Sequence, residues 1–146
     1  MDRAELARWN RQTKPQANGC ILFVGKQGAD GYGRLRPRPG MKEVYAHIYS
    51  WTITNGEVPK GLQVDHKCHS AAVERSECEG GSECIHRRCV NPAHLELVTP
   101  SENTMRQRHA NRLKDACPKG HPLSGDNLVR WSDGKRRCRL CLKART

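Results

Sequence analysis

The sequence predicts a small α+β fold held together by metal more than by a large apolar core. Three observations carry this. Residues 62–66 and 95–98 alternate apolar and polar side chains as half-buried strands do, and Thr99-Pro100-Ser101-Glu102 then forms a capping box with proline at the first helical position. Hydrophobic residues make up only 36% of the 146 residues and aromatics 5%, too few to bury a generous core in so short a chain. Eight cysteines and seven histidines supply the alternative, because many of them fall at spacings that suit tetrahedral zinc.

Taken in order, residues 1–17 form an N-terminal arm in which 2–13 read as a polar surface helix with Asp2 as its cap. Asn18-Gly19 is a turn and residues 20–24 a strand. Four glycines between Gly25 and Gly33 then turn the chain into a return strand at 32–36, giving a basic hairpin with Arg34 and Arg36 as contact candidates. Residues 42–55 read as a helix with Val44, Ile48 and Trp51 on one face, stopped by Asn55-Gly56; His47 within it reads as a structural histidine bonded to backbone. Residues 70–88 form an insert that is rich in glutamate and contains Gly80-Gly81, Cys78, Cys84 and His86. With no core of its own, it is ordered by metal or not at all. The helix starting near residue 100 runs on to 114. In the C-terminal 115–146, Cys117-x3-His121 and Cys138-x2-Cys141 flank a hairpin turning at 132–134, which reads as a zinc ribbon or treble clef.

The strand, metal-pinned loop, strand and helix of residues 62–114 bring particular chemistry together. Asp65 and His66 end the first strand, and Asn103 lies in the first turn of the helix that crosses the pair. A carboxylate oxygen, an amide oxygen and an imidazole would converge there, which is the composition of a magnesium site beside a base. These residues also carry a resemblance. Asp65-His66, Asn91-Pro92-Ala93-His94-Leu95 and Glu102-Asn103 resemble the HNH signature of the ββα-metal (His-Me finger) endonucleases, and Cys68, Cys89 and His94 resemble the His-Cys box homing endonucleases. The resemblance spans residues 19–106 and implies a ββα-metal core within a nuclease domain at 18–114. It implies His66 as general base, Asp65 and Asn103 holding Mg2+ or Mn2+, and Asn91 bonding across the loop to keep the base in register; a plain reading of Asn91-Pro92 is a turn opener. The implied reaction is hydrolysis of DNA, by endonuclease or nickase, to 5′-phosphate and 3′-hydroxyl ends. Small proteins of this look occur in phages and mobile elements.

The resemblance also divides the cysteines. Cys20, Cys68, Cys89 and His94 make one structural zinc site, with Cys84 as an alternative fourth ligand in place of Cys20. His69, Cys78, Cys84 and His86 then remain for a zinc in the insert, and Cys117, His121, Cys138 and Cys141 close the C-terminal site, so two or three structural zincs are expected. A formal charge of +11 suits a polyanion, and Arg87, Arg88, Arg106, Arg108, Lys135, Arg136, Arg137 and Arg139 are the candidates to meet DNA phosphates. The N-terminus does not read as a signal peptide and no run is long enough to span a membrane, so a cytoplasmic protein of a bacterial or phage-infected cell is expected. No heptad indicates a dimer. Two other readings are a catalytically silent, zinc-stabilised DNA- or RNA-binding protein and a RING-like partner-binding module.

Overall fold

In the computed structural model residues 1–145 are described, except the side chains of 107–113. The fold is mixed α+β, built from four small two-stranded sheets and short helices. Helix α1 (Arg3–Arg11) begins with a capping box between Asp2 and Glu5. It is no loose arm. Glu5 is 8% exposed and pairs with Arg38 at 2.5 Å, whose guanidinium holds the Glu5 carboxyl down at about 2. Trp9 packs on Phe23 and Tyr49, so the helix closes one side of the core.

The predicted turn over 26–33 forms, with Gln27 bridging Gly33 and the Gly28 and Arg34 N–H groups bonded to the Tyr32 and Lys26 carbonyl oxygens, but the strands expected to flank it do not pair with each other. Strand β2 (Ile21–Phe23) pairs antiparallel with β1 (Thr13–Pro15), while β3 (Arg34–Leu35) pairs with β4 (Val44–Tyr45). The glycine-rich stretch between them is packed rather than a simple turn. Gly31 has φ of +83°, and a Cβ there would sit 2.2 Å from the Ser82 carbonyl oxygen, so this loop lies directly against the insert. The helix expected over 42–55 starts later, as α2 (Ala46–Asn55), because Val44 and Tyr45 are extended in β4. Phe23, Leu35, Ala46 and Val90 form the small apolar core, and Ser50 donates to the Val90 carbonyl oxygen at 2.6 Å across it.

Strands β5 (Gln63–His66) and β6 (Leu95–Val98) pair antiparallel as the alternation predicts, with Asp65 opposite Glu96 and His66 opposite Leu95. Between them the expected loop holds a helix, α3 (Lys67–Glu74), which leaves β5 without a break. Its two buried side chains, Ala72 and Val73, and the Cys68 and His69 that it contributes to two Cys/His clusters supply what its sequence lacks in capping. Helix α4 (Pro100–Leu113) opens on the predicted capping box, Thr99 with Glu102, and packs on α3 and β5. Strands β7 (Leu128–Arg130) and β8 (Arg136–Cys138) and helix α5 (Arg139–Lys143) make up the C-terminal unit.

Candidate metal centres and active-site cleft

Among the described residues the fold brings together three clusters of cysteine and histidine: Cys20, Cys68, Cys89 and His94; His69, Cys78, Cys84 and His86; and Cys117, His121, Cys138 and Cys141. Cys84 lies in the second cluster, so Cys20 is the fourth member of the first. A tetrahedral zinc with thiolates at about 2.3 Å and imidazole nitrogens at about 2.0 Å needs S···N edges of about 3.5 Å and S···S edges of about 3.8 Å. The fold supplies S···N edges of that length, with S···S edges of 3.7 Å between Cys117 and Cys141 and a shorter 3.3 Å between Cys78 and Cys84. Cys20 Sγ and Cys89 Sγ lie 3.6 and 3.7 Å from His94 Nδ1; Cys84 Sγ lies 3.4 Å from His69 Nδ1 and 3.5 Å from His86 Nδ1. His121 Nδ1 lies 3.5, 3.5 and 3.3 Å from the sulfurs of Cys117, Cys138 and Cys141. Each cluster is able to hold zinc.

One thiol in the first cluster and one in the third are biased toward the thiolate, while burial pushes the Cys20 and Cys141 thiols up to about 11. The Cys68 thiol bonds Cys89 and, against the cost of burial, helps hold it down at about 4 together with the backbone N–H groups of Asn91 and Ile21. Burial pushes the Cys138 thiol up, but the Cys141 backbone N–H and the Asn127 side chain bring it to about 6. Gly19, with φ of +82°, has its Cα side against the His94 ring, where a Cβ would come within 3.3 Å. Asn91 belongs to this neighbourhood. Its Nδ2 donates to the Gly19 carbonyl oxygen at 2.7 Å and its Oδ1 accepts from the Ala93 N–H, so it clamps the first cluster's loop.

His66 stands outside all three clusters. It is 4% exposed, and its Nε2 lies 2.9 Å from the Cys89 carbonyl oxygen. A carbonyl only accepts, so Nε2 carries the proton and Nδ1 is left as the acceptor. Burial pushes the His66 pKa below the ordinary value, with the Cys89 carbonyl pulling the other way. His47 is the neighbour that sequence reasoning undervalued. Its ring centroid is 4.8 Å from that of His66 and 5.1 Å from that of Tyr32, and its buried Nδ1 has no hydrogen-bond partner, contrary to the expected backbone bond.

Asp65, His66, Asn103, Tyr32, Arg87 and Glu96 line one cleft of ≈ 670 Å³. Several of the arginines expected to meet DNA are occupied inside the protein. Arg34 pairs with Asp30 at 2.7 Å and stacks over Tyr45, so it braces the β3–β4 region. Arg106 Nη1 bonds Asp65 at 2.8 Å and Glu96 at 2.7 Å. Arg87 donates to the Asp30 carbonyl oxygen and lies over Tyr32 at the cleft wall. Arg36 and Arg139 are exposed and Arg88 is half-buried. Lys135 pairs with Asp133, Arg136 bonds the Leu123 carbonyl oxygen, and Arg137 stacks on Trp131. Arg108 lies outside the described residues.

Residues 44–71, from β4 through the first half of α3, match the family described as HNH endonuclease. The matched segment contains Asp65, His66, Cys68 and His69, and it points to a nuclease. The chain is similar to three phage proteins. Protein 7.7 of Escherichia phage T7 is 29% identical over 109 residues, covering 75% of this chain and 63% of that protein. Protein 2.8 of the same phage is 28% identical over 116 residues, covering 80% and 66%; the uncharacterized gene 5.3 protein of Enterobacteria phage T3 is 26% identical over 100 residues, covering 65% and 83%. The chain thus spans less than two thirds of the length of either T7 relative. No solved structure matches. Among the described residues no helix is long and apolar enough to cross a membrane.

Proposed function

We propose that the chain is a magnesium- or manganese-dependent DNA endonuclease or nickase with a ββα-metal core formed by β5, β6 and α4, and with structural zinc in its three Cys/His clusters. The observation that carries this reading is the bond from His66 Nε2 to the Cys89 carbonyl oxygen. It leaves Nδ1 of a buried, neutral imidazole to take a proton from water, in the same cleft as a carboxylate and an amide suited to a hard cation. Asp65 and Asn103 would hold a divalent cation, which when bound would supply charge neutralisation for a phosphodiester and its departing 3′-oxygen. His66 deprotonates the attacking water, Cys89 and its cluster fix the ring that does so, and Arg87 offers its remaining N–H groups to a phosphate oxygen at the cleft wall. The products are 5′-phosphate and 3′-hydroxyl ends.

Incubation of the zinc-loaded protein with supercoiled plasmid and magnesium tests this directly. Wild type is expected to nick or linearise the plasmid, and His66→Ala to do so at least about 10²-fold more slowly, the range a positioned base contributes. If both proteins leave the plasmid supercoiled yet retard it on a gel, the chain is a zinc-stabilised nucleic-acid binder.

A further inference from the structure

Asp65 and Glu96 face each other across the β5–β6 pair, so their side chains rise from one face of the hairpin. Gln63 shares that face by the two-residue period of the strand. Helix α4 covers it with Asn103 and Arg106, which are three residues apart and so share a side of the helix. A single nitrogen, Arg106 Nη1, lies 2.8 Å from Asp65 Oδ2 and 2.7 Å from Glu96 Oε1, which puts the two carboxylate oxygens no more than 5.5 Å apart. Asn103 Nδ2 donates to Gln63 Oε1 at 2.9 Å, which leaves Oδ1 as the amide atom able to meet a cation. The carboxylates are reachable by water, with 17% of the Asp65 side chain and 33% of the Glu96 side chain exposed.

We propose that Glu96 is a third oxygen ligand of the hard-cation seat shared by Asp65 and Asn103, and that Arg106 fills this seat as an internal counter-ion until a divalent cation exchanges with it. The inference rests on the metal-dependent reading above and adds a ligand and an exchange step to it. Two carboxylates this close repel unless positive charge stands between them, and the guanidinium provides it. Octahedral magnesium holds neighbouring oxygens about 3.0 Å apart and opposite ones about 4.2 Å apart, from bonds of about 2.1 Å. An ion in place of the guanidinium nitrogen would draw the Asp65 and Glu96 oxygens in to one of these separations. A doubly charged ion then wins against one guanidinium for two carboxylates, and Arg106 is released beside the place where a phosphate would bind. Arg106 thus has two successive partners of like charge.

Manganese binding to the zinc-loaded full chain without DNA, followed by the electron paramagnetic resonance signal of free Mn2+, tests the proposal without recourse to cleavage. Asp65→Asn and the isosteric Glu96→Gln are each expected to weaken Mn2+ binding by at least about tenfold, and Arg106→Gln to tighten it about threefold or more. If Asp65→Asn weakens binding while Glu96→Gln binds as wild type does, Glu96 only anchors Arg106 and the inference fails alone. If Glu96→Gln weakens binding but Arg106→Gln leaves it unchanged, the exchange step is wrong. If neither carboxylate variant shifts Mn2+ binding, the seat itself is absent and the metal-dependent function falls with it.

Discussion

Nε2 of His66 and the carbonyl oxygen of Cys89 lie 2.9 Å apart, joining the candidate base to a residue of the first metal cluster. The bond sets the tautomer of the ring and ties the end of β5, beside Asp65, to the segment that carries Cys89. A glutamine at position 66 could keep the amide donor to Cys89 but has no basic nitrogen. His66→Gln should therefore fold, bind three zincs and bind DNA as wild type does, while cleaving at least about 10²-fold more slowly. Zinc content by atomic absorption and DNA affinity in calcium, measured beside the cleavage rate, check this. Loss of zinc or of DNA binding in the variant would mean that His66 is structural.

The same burial gives a pH dependence. His66 is buried, and its pKa is lowered chiefly by desolvation of the imidazolium. A base works only when neutral, so a lowered pKa extends the neutral form to more acid pH. The acid limb of the cleavage profile should accordingly fall below the ordinary histidine value of about 6.5. Single-turnover rates from pH 5 to 8 at saturating magnesium would show it. A half-maximal point above 6.5 would identify another group as the base.

The metal clusters should differ in what they hold up. Cys20 and Cys89, 1% and 0% exposed, sit among the few fully buried side chains, and Leu22 packs with them. The first cluster is thus part of the core itself. A structural zinc contributes about 10 kcal/mol or more of folding free energy, comparable with the whole stability of a small domain. Cys89→Ser should leave residues 18–106 unfolded, and Cys138→Ser should melt only the C-terminal hairpin. Heteronuclear NMR spectra of the two variants check both outcomes. A native-like spectrum for Cys89→Ser would show that the apolar cluster around Phe23 is sufficient.

Much of this organisation is legible in the residues, and the exceptions have physical causes. The β5–β6 pair and the start of α4 are legible because a two-residue alternation and a capping box are local signals. The three clusters follow from spacing and from the resemblance, since four ligands close a site whatever lies between them. Strand β1 is illegible because Thr13-Lys14-Pro15 has neither alternation nor an apolar face, and it forms only because β2 offers it an edge. Helix α3 is illegible because Lys67 follows a strand with no capping side chain; two clusters hold it from consecutive residues, Cys68 and His69. Glu96 reads as the solvent side of an alternating strand until α4 is laid across that face with Arg106. Arg34 reads as a groove contact for the same reason, and Asp30 and Tyr45 turn it inward.

The second cluster leads to a prediction of coupling. His69 enters it from the helix that follows Asp65 and His66, Cys84 from the position just before the 3-10 turn Ile85–Arg88 that leads to Cys89, and His86 from the turn itself. Arg87 lies between His86 of the second cluster and Cys89 of the first, bonded to the Asp30 carbonyl oxygen and over the Tyr32 ring at the cleft wall. If zinc at the second cluster positions Arg87, Cys78→Ser should remove one zinc, leave the rest of the fold intact, and weaken DNA binding as much as Arg87→Ala does. Each variant should lower the log–log salt slope by about 0.9, the share of one phosphate contact, and the double variant should be no worse than either single one. Fluorescence anisotropy with a DNA duplex in calcium, over a range of salt, gives all four affinities. Additive losses in the double variant would separate Arg87 from the metal and leave the insert cluster as a staple for residues 70–88 alone.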